Sequence, residues 1–527
     1  MKRFLKIAIC MVLAFMFLGQ TITVYARIEN MGFRVGDMGF FGGISQGTRL
    51  PKTTEVLIAN NNANNRRNAN VTTTLQYREV IFLTGVPTTF TGNIEIRRDA
   101  LPVGQNFGSF QERFRITSSA STLDDAIISR EMDFNINFRI HGSQIIKDYQ
   151  VTRWVETIVV GDQIFFLDPA QSFFALSIIQ DNAPGVTYYK GNVSMRAVYF
   201  VETYEDGDDL GITTLETMSA FYGYHSAWSA TETHRLNGTV TAPGWQMTYQ
   251  VRPSVSVNKT LQYSRNEPQA ISFAGNYREL LQNQSGLQYD IIVQPLRFHN
   301  VPRTGSVTIS IPNSFEQLPA PNVEFLRGHP AQADIEKLFA MNILRGEPRQ
   351  FRPEQAITRG QFVAAVARAI KLPIEQPPPQ PARGRAAPSL AIVFPDVLPN
   401  RPEHPYIMAA YRVGLAVGRT GGNFFADASI ERQEAIVILL RTLGLENLAL
   451  DPTPQTVFTD DANISAWARR ELAAAERIGL IAPDADGRIH PRQIVSNAEA
   501  AALINRLIDY MRHDLALDYT SIVNFGD

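Results

Sequence analysis

Between residues 27 and 320 apolar and polar side chains alternate with a period of two. Asp133-Phe134-Asn135-Ile136-Asn137-Phe138-Arg139-Ile140 does so strictly, as a strand with one buried face should. The segments 71–82, 150–160, 193–204 and 307–311 behave alike, and Gly, Pro and Asn clusters separate them at turn positions. The pattern predicts an all-β, sandwich-like region, built as one large domain or two smaller ones. A loose echo of Val71-Thr72-Thr73-Thr74-Leu75-Gln76-Tyr77 in Val257-Asn258-Lys259-Thr260-Leu261-Gln262-Tyr263 fits either a duplication or the small alphabet of strands. After Pro319-Ala320-Pro321 the period changes to that of helices, with apolar residues at i, i+3 and i+4 in 362–370, 435–443 and 500–511.

The helical region repeats itself. Phe351, Phe424 and Ile489 each precede a second apolar anchor (Ile357, Ile430, Val495) by the same interval, and a helix follows each anchor. Such a unit buries its face only against its neighbours. Thr358 with Gln361 and Ser496 with Glu499 fit capping boxes; Glu431 with Glu434 keeps the carboxylate and lacks the hydroxyl. The expected layout is 1–26 as a signal peptide, 27–320 as a β-rich module, and 323–515 as three helical repeats (about 323–372, 390–445 and 455–515). A proline-rich spacer, 373–388, joins the first repeat to the second and leaves each unit intact.

Composition narrows the function. The chain has 527 residues, 49 basic and 51 acidic, for a net charge of -2, which gives no electrostatic case for nucleic acid. Lys2, Arg3 and Lys6, an apolar run from 7 to 18, and Val24-Tyr25-Ala26 read as an export signal, too short to span a bilayer; no other stretch reads as a transmembrane segment. Cys10, the only cysteine, lies inside that signal, so no disulfide or thiolate chemistry is expected of the exported chain.

The repeats carry a resemblance. Phe394-Pro395-Asp396-Val397, Phe458-Thr459-Asp460-Asp461, Trp467-Ala468, Ile357-Thr358-Arg359-Gly360-Gln361 and Ile430-Glu431-Arg432-Gln433-Glu434 are similar to the opening, helix-start and closing motifs of the S-layer homology family. The likeness covers roughly 323–515. It implies an all-α bundle of three repeats with grooves between them, and non-covalent binding of secondary cell-wall polysaccharide, typically through a pyruvylated amino sugar. On that resemblance Arg359, Arg432, Trp467, Thr358 and Glu434 are the candidate polymer-binding residues. An arginine in the first turn of a helix suits a carboxylate, and a tryptophan suits a sugar face. Asn497 stands where the third arginine would be, so two grooves at most are complete.

Other chemistry is thin. Glu205-Asp206-Gly207-Asp208-Asp209 reads as a solvated turn before a calcium site, and Asp484-Ala485-Asp486-Gly487 as a turn between helices. The aromatic stretch Phe221 to Trp228 reads as β core in preference to a contact surface, and Gly43-Ile44-Ser45-Gln46-Gly47 as a loop in preference to a nucleophile elbow. The expectation is a non-catalytic surface protein of the cell wall or S-layer, without cofactor or metal and with self-assembly as one partner mode. The alternatives are an anchored enzyme acting on polysaccharide, and an adhesin or solute-binding module.

Overall fold

The computed structural model describes residues 42–45, 71–99, 105–118, 126–264, 276–294, 303–374, 393–449, 451 and 453–518. The signal peptide, the Asn-rich stretch 60–70 and nearly all of the proline-rich spacer lie outside them.

The β region is one antiparallel sheet in which almost every strand pairs with the next in sequence. Its strands are β1 (Ile44–Ser45), β2 (Val71–Ile81), β3 (Thr88–Arg98), β4 (Phe107–Ser118), β5 (Ile127–His141), β6 (Gln144–Val160), β7 (Gln163–Leu167) and β8 (Phe173–Asn182). There follow β9 (Val186–Thr203), β10 (Asp209–Ser226), β11 (Ser229–Ala242), β12 (Trp245–Ser264), β13 (Asn276–Gln294), β14 (Thr304–Ile309) and β15 (Ser314–Pro319). β7 and β8 lie end to end between β6 and β9, and β14 and β15 share the edge of β13. The sheet folds over until its first and last strands meet: Arg78 Nη1 donates to Thr308 O at 2.9 Å, and Ser285 Oγ to Ser45 O at 2.8 Å. A sandwich-like core therefore forms inside a single sheet, with no boundary between two β domains. Val71–Tyr77 and Val257–Tyr263 belong to the same sheet, in β2 and β12.

The inner face is apolar, with Phe90, Ile96, Phe134, Phe138, Phe165 and Tyr199 fully buried. One ion cluster interrupts it. Arg130 donates to Glu79 (2.9 and 3.1 Å) and to Glu156 (2.6 Å), while Tyr77 OH and Trp154 Nε1 hold the same carboxylates at 2.5 and 2.9 Å. Buried charges are tolerated only when paired and hydrogen-bonded in this way. The outer face is polar along most strands, as in Ser129, Glu131, Asp133 and Asn135 of β5. Ser45 sits buried in strand β1, which removes the nucleophile-elbow and loop readings alike.

The helical region contains α1 (Gln332–Ala340), α2 (Arg359–Ala369), α3 (His404–Arg412), α4 (Arg432–Leu443), α5 (Arg469–Arg477) and α6 (Asn497–Asp509). α2, α4 and α6 are buried nearly all round and occupy the centre, as helices without a polar face must. Thr358 and Ser496 form full capping boxes, and Glu431 makes no side-chain cap. The three central starts are tied in a ring. Arg359 N and Gly360 N donate to Ala428 O and Ala426 O; Arg432 N and Gln433 N to Gln493 O and Pro491 O; Asn497 N and Ala498 N to Gln355 O and Pro353 O. The loop of each copy thus caps the helix start of the copy before it, and the loop of the first caps the third.

The outer helices follow the same rotation: α3 packs on α2, α5 on α4 and α1 on α6. The spacer therefore joins two helices that pack on each other, where the sequence had suggested a link between finished units. The aspartates of the opening motif act locally. Asp396 accepts from Phe424 N and Phe425 N (2.8 and 2.6 Å), and Asp460 from Ile489 N and His490 N (3.0 and 2.8 Å). They thereby fix the left-handed conformations of Phe425 and His490.

Sheet and helices meet end on. The hairpin between β10 and β11 carries Trp228 out of the sheet core into the helical core, where Tyr188, Tyr224 and Ala227 also pack. The aromatic stretch therefore divides: Phe221 stacks on His234 within the sheet, and Trp228 belongs to an internal junction. The C-terminal ends of all three central helices face this junction. Trp228 Nε1 donates to Ala369 O (2.9 Å), Gly185 N to Thr442 O (2.7 Å), Tyr188 OH to Leu443 O (3.0 Å), and Ser229 Oγ to Met511 O. Those of Ala369, Thr442 and Leu443 are carbonyls that a helix end leaves without internal partners, and Met511 lies in the π-helical turn Tyr510–Asp514 that follows α6.

Candidate functional site

At the opposite end of the bundle, beside the central helix starts, lies a groove of about 660 Å³. It draws on all three copies: Arg359 from the first, Arg419, Glu434 and Arg441 from the second, Trp467 and Arg492 from the third. The ring of helix starts explains the convergence, because it sets the first turn of α2 against the loop before α4.

Glu434 organises the groove. It accepts from Arg359 Nη1 and, at 2.6 and 2.7 Å, from Arg419 Nη2. Arg359 also donates to Val417 O at 3.0 Å and stacks on Phe424, 4.8 Å from the ring centroid. Burial, aided by Arg419 and Arg441, pushes the Arg359 guanidinium down to about 10. It stays charged at neutral pH, and its buried Nε finds no hydrogen-bond partner among the described residues. Arg441 pairs with Glu471 at 3.3 Å, and Arg492 Nε donates to Asn463 O at 3.1 Å. Gln433 bridges Glu431 and Ser465 (2.6 and 3.1 Å) on the floor. Four arginines against Glu431 and Glu434 leave the groove net positive, and Trp467, 53% exposed, presents a ring at its side. Such a surface can receive an anion through bidentate guanidinium contacts and a sugar ring by stacking.

Of the residues singled out from sequence, Arg359, Glu434 and Trp467 come together here. Thr358 lies one residue away, with its hydroxyl committed to the α2 cap. Arg432 sits in the next position of the ring and pairs with Glu499 at 3.3 Å, the counterpart of Arg359 with Glu434. At the third position Asn497 donates to Arg352 O (2.9 Å), so that site has no first-turn cation. Arg419, Arg441 and Arg492 escaped the sequence reading. Arg419 follows the Gly-rich turn at Gly418, and only the fold shows that this turn faces α2.

The Glu205–Asp209 run is a hairpin turn closed by Gly207 N to Thr203 O (3.1 Å) and Asp208 N to Thr203 Oγ1 (2.8 Å). Asp484 closes its own turn, accepting from Asp486 N and Arg488 N at 2.9 Å. No helix among the described residues is long and apolar enough to cross a membrane.

Comparison with known proteins gives a consistent picture. The family model for the S-layer homology domain matches residues 326–363 and 457–501. An amylopullulanase of Thermoanaerobacterium thermosulfurigenes is 29% identical over 33% of this chain and 9% of its own length. An exoglucanase of Acetivibrio thermocellus is 29% identical over 33% of this chain and 15% of its own. An S-layer protein of Bacillus licheniformis is 29% identical over 25% of this chain and 14% of its own. The chain spans less than a fifth of the length of each of these relatives.

Proposed function

Because the chain carries S-layer homology domains and resides at the cell surface, we infer that it is held there by wall polysaccharide bound in the Arg359–Trp467 groove. The single observation that carries this reading is the convergence of four arginines and an exposed tryptophan from three sequence copies on one groove. The middle copy, outside the matched segments, acts as a third repeat: its helix starts and loops close the same ring. The groove's net positive charge favours a polymer bearing carboxylates, such as a pyruvylated one. Arg432 with Glu499 forms a second, shallower contact, and the Asn497 position serves as scaffold.

The β module we read as non-catalytic. Its buried carboxylates Glu79, Glu156 and Glu232 are held by partners inside the sheet core. Glu216 and Asp290, which line an open groove of about 840 Å³, are paired with Arg196 and Arg252, whereas a hydrolase acting on polysaccharide needs two carboxyl groups free to reach substrate. Two of the relatives are named as glycan-degrading enzymes, so an anchored hydrolase is the competing reading.

Purified chain mixed with cell-wall sacculi tests the anchor. It is expected to co-sediment, and to stay in the supernatant after the polysaccharide is stripped or in Arg359→Ala/Trp467→Ala. Equal sedimentation of stripped and intact walls sinks the reading. Turnover of wall glycans by the same preparation would overturn the non-catalytic assignment.

A further inference from the structure

Several apolar side chains of the sheet are exposed, Phe173, Met218 and Ile292 among them, but one group lines up directly across neighbouring strands. Phe166 of β7 lies opposite Phe200 of β9, and Phe200 opposite Ile212 of β10, so three large apolar side chains stand in one cross-strand row. Ile127 of β5 and Val155 of β6 extend the patch across two further strands. These five residues are between 38 and 51% exposed. An apolar patch spanning five adjacent strands is more than the scattered exposure usual on a soluble monomer.

The surroundings of the patch identify what covers it. On the β4–β6 side stand Arg113, Arg115 and Arg153, netted with Glu131 and Asp133. On the other side, at the β9–β10 turn, stand Glu202, Glu205, Asp206, Asp208 and Asp209 with no cation among them. A two-fold axis in the plane of the patch, oblique to the strands, lays the arginine-bearing flank of one molecule over the acidic flank of another and superposes the two apolar patches. The surface is thus complementary to itself. The near-neutral chain, at -2, adds little long-range repulsion between copies.

Position strengthens the argument. β9 begins at Val186, in the junction with the helices, and reaches Phe200 fourteen residues later, about 45 Å away at the rise of a strand. Molecules held by their helical ends would all present the patch at one height, which raises its effective concentration toward other copies. That last point rests on the anchoring reading; the self-complementarity does not.

We propose that the Phe166–Phe200–Ile212 face is a two-fold contact between copies of this chain. A photo-crosslinking benzoylphenylalanine at position 200 of the purified chain, free in solution, should give a product of twice the chain mass. The same group at Met218, more exposed than Phe200 but beyond the patch, should give none. Phe200→Lys should weaken association at least tenfold in sedimentation velocity, and Asp208→Lys/Asp209→Lys should weaken it in a way that Arg113→Glu/Arg115→Glu in the partner molecules restores. Only monomer at position 200, equal product at 218, or an adduct of another mass in whole cells overturns the proposal. Because the crosslinking and sedimentation of purified chain contain no wall, their failure is separate from failure of the anchor.

Discussion

Trp228 is the residue on which the union of the two modules depends most. It is 1% exposed, donates to the last carbonyl of α2, and lies between Lys371 (5.2 Å) and Arg512 (5.6 Å) over its ring. Trp228→Ala removes a buried aromatic, at about 3–5 kcal/mol, and the two cation contacts add about 1 kcal/mol. Trp228→Phe keeps most of the packing and leaves Ala369 O unpartnered, for about 1–3 kcal/mol. The loss falls on the junction and the helical core, since the residue packs with the helices and takes no part in the sheet core. Scanning calorimetry of the full chain should show one coupled transition in the wild type and two in Trp228→Ala, with the helical one lowered by about 10 °C or more. A single transition in Trp228→Ala shifted by less than about 3 °C would refute the coupling and imply that each module is self-sufficient.

Other perturbations separate the remaining parts. Arg130→Leu leaves Glu79 and Glu156 buried without a counter-charge and should cost about 3–5 kcal/mol in denaturant unfolding of the β module. Gly444→Ala places a methyl 2.5 Å from Ala183 Cβ at a φ of +70°, so junction stability should fall while wall sedimentation persists until the fold is lost. Burial, with Lys259 beside it, lowers Lys371 from 10.5 to about 8. The unfolded chain then holds this proton to higher pH than the folded one, and stability should rise between about pH 8 and 10.5. Lys371→Met should flatten that rise in pH-dependent melts. In the groove, Glu434→Gln should leave the fold intact and raise the salt sensitivity of wall sedimentation, because the arginines lose their internal counter-charge.

What could be read from the sequence was local. The equal spacing of Phe351, Phe424 and Ile489 to their anchors, and the Thr358–Gln361 and Ser496–Glu499 pairs, involve residues a turn or two apart, so pattern alone locates the helix starts. Pairings at long separation left no comparable trace. The closure of β2 against β14 joins residues 230 positions apart, and it decides between one β domain and two. The exchange of outer helices, α3 onto α2 and α1 onto α6, is invisible to a reading that takes each copy as its own hairpin. Trp228 misled for a related reason: its neighbours are strand residues, yet its partners are helix ends 141 and more positions away. In the groove, Arg359 and Trp467 were named from motifs, whereas Arg419, Arg441 and Arg492 join them only through the rotation of three copies.

The bundle's polarity has a mechanical consequence. The groove lies at the N-terminal ends of α2, α4 and α6, and the sheet is fastened to their C-terminal ends. A molecule tugged away from its wall would carry tension lengthwise through three parallel helices, each about 15–20 Å long. Because the three starts are laced in a closed ring, pulling on one loop tightens it against the other two, so the linkage should yield by shearing several hydrogen bonds together and not by peeling one repeat at a time. Under flow or turgor, such a tether should detach first at the glycan contact, leaving the protein folded and able to rebind.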